Sequence, residues 1–270
     1  MPLITIQNLF FSYIPDFQIL NDLSLDLHEG EIVALIGKNG AGKTTLAKLL
    51  IGMLKPQSGE IIIDNKTIKK KSIADIAQKI GFVFQNPNSM LFTRSVEEEL
   101  KLSLQRYNYT KDQQLEKINT ILEFLNMKKY QQTHPRLLSR GEKQKLSLAT
   151  VLIQDPKVII LDEPFSGIDN IQKNTISNYL LQLKEQGKLV VIISHDFESL
   201  IEYTDRIVAL HNGSIFFNGT PKEFFKEKTQ TEKIGLTNSP YLSLLFELRN
   251  RGLPETILKK GELIDYFCGK

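Results

Sequence analysis

The stretch "EIVALIGKNGAGKTTL", residues 31–46, decides the fold. Residues 32–36 run apolar without interruption, as in a strand buried on both faces of a sheet. A glycine-rich turn follows, and then Leu46, Leu49, Leu50 and Met53 recur at helical spacing. The spacing predicts a helix that begins at about Lys43 and buries that face. Strand, glycine loop and helix in this order form a unit whose chemistry lies in the loop.

The loop fits the spacing G-x-x-x-x-G-K-[ST]: Gly37, Lys38, Asn39, Gly40, Ala41, Gly42, Lys43 and Thr44, with Thr45 after it. Glycines let the backbone wrap closely around phosphate oxygens, so several N–H groups point at the anion. The helix dipole adds about half a positive charge there. Lys43 adds a full charge toward the β and γ phosphates, and the Thr44 hydroxyl suits Mg2+. The alternative, a glycine turn in a Rossmann-like unit, fits the flanking pattern less well.

Two further apolar runs end in polar residues, "KVIILDEP" (157–164) and "KLVVIISHD" (188–196). Central parallel strands do this where their carboxyl ends line a site, so the charged ends of the three runs are expected to meet. At the first end, Asp162 and Glu163 can divide two roles. One carboxylate holds Mg2+ through water and the other polarises the water that attacks a phosphoryl group. Alone, an acidic pair before Pro164 reads as a solvated turn; beside a phosphate loop it reads as catalytic. His195 at the second end, just before Asp196, can hydrogen-bond the γ phosphate or the attacking water, although a lone histidine at a strand end is more often structural.

Alternating strands and amphipathic helices predict an α/β fold with a largely parallel sheet. From about residue 86 to 140 the chain turns helical and polar. "TKDQQLEKINTILEFLNM" (110–127) opens with the capping pair Thr110 and Gln113 and carries Leu115, Ile118, Ile121, Leu122 and Leu125 at helical spacing. This segment reads as an inserted helical subdomain. "LSRGE" (138–142) opens another helix, with Ser139 and Glu142 spaced as a capping box. Asn212-Gly213 lies between two strand-like runs and predicts a hairpin. Past residue 225, two short helical patterns separated by Gly252 and Pro254 read as a small appended domain. Lys69, Lys70 and Lys71 read as a solvated loop.

Composition narrows the partners. With 41% hydrophobic and 24% charged residues, the 270-residue chain can bury a core. A net charge of +3 spread over many Lys and Glu residues offers no basic stripe for nucleic acid. The single cysteine, Cys268, forms no internal disulfide, the opening residues carry no secretory pattern, and no apolar run approaches the ~18 residues that span a bilayer. The expectation is a reduced, cytoplasmic protein whose membrane role, if any, comes through a partner.

With these residues in view, the chain resembles the ABC ATPases. Gly37 to Thr44 is similar to their Walker A loop, "VIILDE" to Walker B with its glutamate, and "LSRGE" to the ABC signature. Gln85 in "FVFQNP" matches the Q-loop, "SGID" (166–169) the D-loop, His195 the switch histidine, and Tyr13 the aromatic that stacks on adenine. Otherwise Tyr13 is an edge-strand aromatic. The motifs come in the family's order. The resemblance implies an α/β P-loop NTPase with a RecA-like parallel-sheet core, an antiparallel β subdomain, an inserted helical subdomain at about 86–140 and a small C-terminal helical domain. It implies an ATPase domain over 1–225 and a dimerisation domain over 226–270.

It further implies ATP and Mg2+ as ligands. Glu163, His195 and Gln85 take the catalytic roles, and Thr44, Gln85 and Asp162 serve the metal. Ser139 and Gly141 meet the γ phosphate held by the opposite subunit, and Glu142 stands in the same nucleotide-binding stretch where the family has a glutamine. Arg140, where the family has a glycine, reads as a side-chain variation with modest effect on the ATPase rate.

Within the family, "FQNPNSMLFTRSVEEEL" (84–100) and the C-terminal segment are similar to the ATPases of energy-coupling factor (ECF) transporters. That resemblance implies a peripheral protein on the cytoplasmic face of the cell membrane. Its expected partners are a second ATPase subunit, identical or paralogous, an integral-membrane coupling (T) protein and a substrate-binding (S) protein, with no nucleic acid. The expected cargo is a vitamin, a cofactor precursor or a transition-metal ion. A chromosome-maintenance ATPase needs a long heptad insert that residues 86–136 lack, and a translation-factor ATPase usually carries two cassettes. A soluble ABC ATPase acting in cofactor assembly is the alternative.

Overall fold

The computed structural model describes residues 1–195, 197–235 and 239–269, and for 197–199 the backbone alone. Asp196 therefore lies outside the described residues, as do positions 236–238 of the appended segment. The N-terminal part contains β1 (Ile4–Ile14), β2 (Phe17–Leu27), β3 (Ile32–Gly37), α1 (Lys43–Leu50), β4 (Ser58–Ile63), β5 (Lys66–Thr67), α2 (Ile73–Ile76) and β6 (Ile80–Val83). Then come α3 (Val96–Leu104), α4 (Lys111–Phe124), α5 (Arg140–Leu152), β7 (Val158–Asp162), α6 (Asn170–Glu185), β8 (Leu189–Ile193) and α7 (Phe197–Tyr203). The remainder holds β9 (Arg206–His211), β10 (Ser214–Gly219), α8 (Pro221–Phe224), α9 (Lys228–Lys233), α10 (Pro240–Asn250) and α11 (Lys260–Cys268).

Six strands make the central sheet in the order β10-β9-β3-β8-β7-β6, parallel except for the β9–β10 hairpin. A separate antiparallel sheet runs β2-β1-β4-β5. Side chains alternate across a strand, so each central strand feeds two cores. Ile32, Ala34 and Ile36 of β3 face the core shared with α5, α6 and the helical insert. Val33 and Leu35 face the core shared with α1 and the antiparallel sheet. The continuous apolar runs are the consequence, because neither face of these strands meets water.

The expected elements are in place, with two corrections. Helix α1 buries Leu46, Leu49 and Leu50 but ends at Leu50, and Gly52 N–H closes it on the Leu49 carbonyl at 3.1 Å. Met53 therefore lies beyond the helix and is 48% exposed. Helix α4 starts with the Thr110–Gln113 capping box and buries Ile118 and Leu122, whereas Leu115 falls on its solvent edge. Asn212 and Gly213, at φ 49° and 80°, form the two-residue hairpin turn, and Lys69, Lys70 and Lys71 are exposed in a loop.

Residues past 225 do not build a core of their own. Ile234, Leu242, Leu245, Leu253 and Leu258 join the core of the central sheet. The Arg249 guanidinium ties this segment together by donating to the carbonyls of Phe225, Glu255 and Ile257.

Candidate functional site

The order β3-β8-β7 places the ends of three neighbouring parallel strands side by side. Gly37 ends the first, Ser194 and His195 come after the second, and Asp162 and Glu163 close the third. The three polar ends meet, as their sequence predicted. Asp162, Glu163 and His195, together with Gln85 and Tyr13, border one cleft of about 500 Å³, which Asn39, Gly40, Gly42, Lys43, Thr44 and Thr45 also line.

The loop is shaped by what it cannot accommodate. Gly42 caps α1 at φ 103°, and a Cβ there would lie 2.6 Å from Leu20 Cδ2 and 3.2 Å from the Ile19 carbonyl. No side chain caps this helix start. Its first N–H groups therefore face the cleft without a side-chain acceptor, the condition in which a helix end accepts an anion. Lys43 Nζ meanwhile donates to the carbonyls of Gly37 at 2.7 Å and Lys38 at 3.0 Å. Ala41 is buried, and its N–H donates to the Lys38 carbonyl at 3.1 Å, which closes the loop beneath.

Charge in the cleft is poorly neutralised. Burial pushes the Lys43 pKa down, against the pull of Glu163 and Asp162. Burial, then the neighbouring Glu163 charge, pushes the Asp162 carboxyl up, and Lys43 and Lys48 only partly offset this. A half-buried carboxylate beside a second one is a place where a divalent cation lowers the energy. Exposed helix-start donors and crowded carboxylates thus fit a magnesium-bound polyphosphate.

Glu163 takes a left-handed backbone at φ 52°. Its N–H donates to the Ile193 carbonyl at 2.7 Å, which turns the side chain back over the end of β8. There Glu163 Oε1 lies 2.7 Å from His195 Nδ1, and Oε2 accepts from the Ser194 hydroxyl at 3.2 Å. Sequence reasoning misses Ser194, whose only signal is a polar residue between the apolar run and His195. Tyr13, half-exposed near the end of β1, places its hydroxyl 3.4 Å from Thr45 Oγ1 and rests edge-on against Phe11.

Ser139, Gly141 and Glu142 do not line this cleft. They form the start of α5, where Ser139 Oγ accepts from Glu142 N–H at 3.4 Å and Ser139 N–H donates to Glu142 Oε2 at 2.8 Å. Burial pushes the Glu142 carboxyl up, but hydrogen bonds from Tyr130 and Ser139 outweigh it and hold the pKa below the ordinary value. Gly141 is pressed against α6, and a Cβ on it would fall 2.0 Å from Gln172 Oε1. A second surface lies between the sheet and the helical insert, a groove of about 440 Å³ bordered by Met53, Ile73, Phe92 and Leu102. These four are among the exposed large apolar side chains of the molecule.

A family profile described as ABC transporter matches residues 20–166. A putative ABC transporter ATP-binding protein of Methanosarcina mazei is 36% identical over 86% of this chain, which spans 40% of that relative's length. The energy-coupling factor transporter ATP-binding protein EcfA1 of Mycoplasma pneumoniae is 35% identical over 93% of this chain and 90% of its own length. Among solved structures, cbiO1 of Clostridium perfringens, described as part of the ABC transporter complex cbiONQ, superposes with a TM-score of 0.80 at 30% identity. That match covers 91% of this chain and 99% of the other.

Proposed function

The chain belongs to the ABC transporter ATP-binding family, whose members hydrolyse ATP, and from that premise we propose that it is the ATPase subunit of an ECF-type importer. The observation that carries the proposal is the convergence of the glycine loop, two carboxylates and His195 in one cleft at the ends of β3, β7 and β8. The loop N–H groups and Lys43 hold the β and γ phosphates, Lys43 leaving the Gly37 and Lys38 carbonyls to do so. Tyr13 stacks on the adenine, a contact worth ~1–3 kcal/mol by comparison with base stacking elsewhere.

Thr44, Asp162 and Gln85 are the residues that would hold Mg2+, which would supply Lewis-acid neutralisation of charge on a transferring phosphoryl group. Glu163 orients and polarises the attacking water, and His195 steadies that carboxylate and the γ phosphate. In this structure the two side chains bind each other.

The signature residues Ser139 and Gly141, remote from their own chain's cleft, complete the cleft of a second ATPase subunit. Closure of two subunits around two nucleotides, followed by hydrolysis and reopening, is the working cycle. The apolar groove of Met53, Ile73, Phe92 and Leu102 takes short helices of the integral-membrane coupling protein, and a separate membrane protein captures the cargo. Residues 226–270, with Ile264, Tyr266 and Phe267 exposed on α11, form the dimerisation domain. The protein then works at the cytoplasmic face of the cell membrane.

The experiment is Glu163→Gln in the purified chain. Turnover should vanish and an ATP-bound dimer should accumulate on size-exclusion chromatography; retained turnover with no dimer removes Glu163 from its role. Co-extraction of an integral-membrane protein in detergent supports the importer. A purely soluble complex favours the cofactor-assembly reading.

A further inference from the structure

Arg140 stands at the first position of α5, between the cap Ser139 and the tightly packed Gly141. Although Arg140 is exposed, its side chain does not run straight out from the helix. It folds across the turn that leaves Glu163, and a Cβ built on Gly167 would lie 2.4 Å from Arg140 Cζ, 2.5 Å from Nη1 and 2.7 Å from Nε. Three guanidinium atoms at nearly equal distance mean that the flat face of the group lies on the Gly167 backbone. A side chain at 167 would displace the guanidinium, and the φ of 70° favours glycine independently. Arg140 Nη2 also reaches Ser166 Oγ at 3.5 Å, a weak bond at the edge of the useful range.

The turn beneath Arg140 leads directly to the cleft. Ser166 N–H donates to the Glu163 carbonyl at 3.2 Å, which helps hold Glu163 in its left-handed conformation. On the other side, Arg140 and Lys143 border a cavity of about 440 Å³ with Gln85, Asn86 and Asn88, and Gln85 also lines the nucleotide cleft. A glycine at position 140 would leave the α5 start and the Glu163 turn without this contact.

We propose that Arg140 is a positioning residue for hydrolysis: lying across Gly167, it couples the start of α5 to the turn that carries Glu163. A γ phosphate engaged at Ser139 and Gly141 then sets the carboxylate in that chain's own cleft. The two sites of a dimer become cooperative through one rigid, planar side chain. This rests on the reading of Glu163 as the residue that polarises water. It also gives the expected side-chain variation of modest effect a specific contact.

The test uses the purified full chain and steady-state ATPase kinetics. Arg140→Ala should lower kcat about 2–30-fold, the range that loss of a coupling contact produces. The Hill coefficient for ATP should fall toward one, with KM changed less than about twofold and the melting temperature unmoved. Arg140→Lys should rescue little, because an ammonium has no plane to lay on a glycine. Gly167→Ala should slow turnover in the parent chain and cost less in the Arg140→Ala background, where the added methyl meets no guanidinium.

Unchanged kcat and Hill coefficient in Arg140→Ala overturn the proposal. So does an equal cost of Gly167→Ala in both backgrounds, or a kcat loss matched by a fall in melting temperature. Glu163→Gln separates the two readings. If that variant is inactive while Arg140→Ala behaves as wild type, the Glu163 assignment stands and the coupling fails; if it stays active, the Glu163 assignment itself fails.

Discussion

Gly141→Ala should differ in its effect on stability according to the residue at position 172. A Cβ at Gly141 would sit 2.0 Å from Gln172 Oε1, 2.3 Å from Cδ and 2.5 Å from Nε2. Ordinary contact needs about 3.4 Å or more, so the Gln172 amide has to swing aside. Gln172 is half-buried and its amide ends a flexible side chain, so the swing costs little beyond lost side-chain freedom, ~1 kcal/mol, against a gain of up to ~1 kcal/mol for alanine over glycine in a helix. The two nearly cancel, and the melting temperature should move by less than about 2 °C. In a Gln172→Ala background the obstruction is gone and only the helix gain remains, so the same substitution should raise the melting temperature by a few degrees.

Differential scanning fluorimetry of the four chains measures this directly. ATPase activity measured in parallel distinguishes packing from phosphate approach. If Gly141 gives the opposite subunit's γ phosphate room to come close, activity stays low in the double variant despite its raised stability. An equal shift in both backgrounds refutes the packing argument. Wild-type turnover in the double variant refutes the phosphate contact.

Asp162→Asn should make the nucleotide-free chain more stable and less responsive to ligand. The folded Asp162 pKa is raised by burial and by Glu163. Its contribution is therefore intact below the unfolded value and is lost as pH rises through the folded one, which leaves an ionised Asp162 as a cost at pH 7. The asparagine variant should melt higher at pH 7 without nucleotide, with the difference vanishing in acid below the unfolded carboxyl's ordinary range. It should also lose most of the stabilisation that Mg2+ with ATP confers on the parent; a lower melting temperature at pH 7 contradicts the sign. Tyr13→Ala should raise KM for ATP about tenfold with little change in kcat, because base stacking is uniform binding. A lost kcat with unchanged KM would instead point to the 3.4 Å contact with Thr45.

Local chemistry is legible in the sequence where one short segment specifies its own geometry. The phosphate loop, the capping boxes at Thr110 and Ser139, the Asn212-Gly213 turn and the polar strand ends are of this kind, since the residues that define them touch within a few positions. Met53 and Leu115 continue a helical period that the structure does not use. For Met53 the helix has already closed at Gly52, and for Leu115 the apolar face is narrower than the periodicity implies. Long-range partners leave no such trace. That β1 pairs with β4 as well as β2, or that Arg140 lies on Gly167, depends on segments distant in sequence. The residues past 225 read as an appended unit because their helices are short and separated by Gly252 and Pro254; their leucines nevertheless enter the core of the main sheet. Ser194 is silent in the sequence because its role exists only once Glu163 turns back over β8.

The alternation of β3 between two cores restricts how this chain can vary through descent. Removing one residue from β3 shifts the downstream chain by about 3.3 Å and turns every later side chain to the opposite side. Isoleucines would then press into the compartment now filled by Val33 and Leu35, and the glycine loop would leave the sheet facing the wrong way. Loss or gain of two residues keeps the phase. Insertions in the loops carry no such parity, so homologues of this chain should differ freely in loop length while the strands beneath the nucleotide loop change, if at all, in even steps.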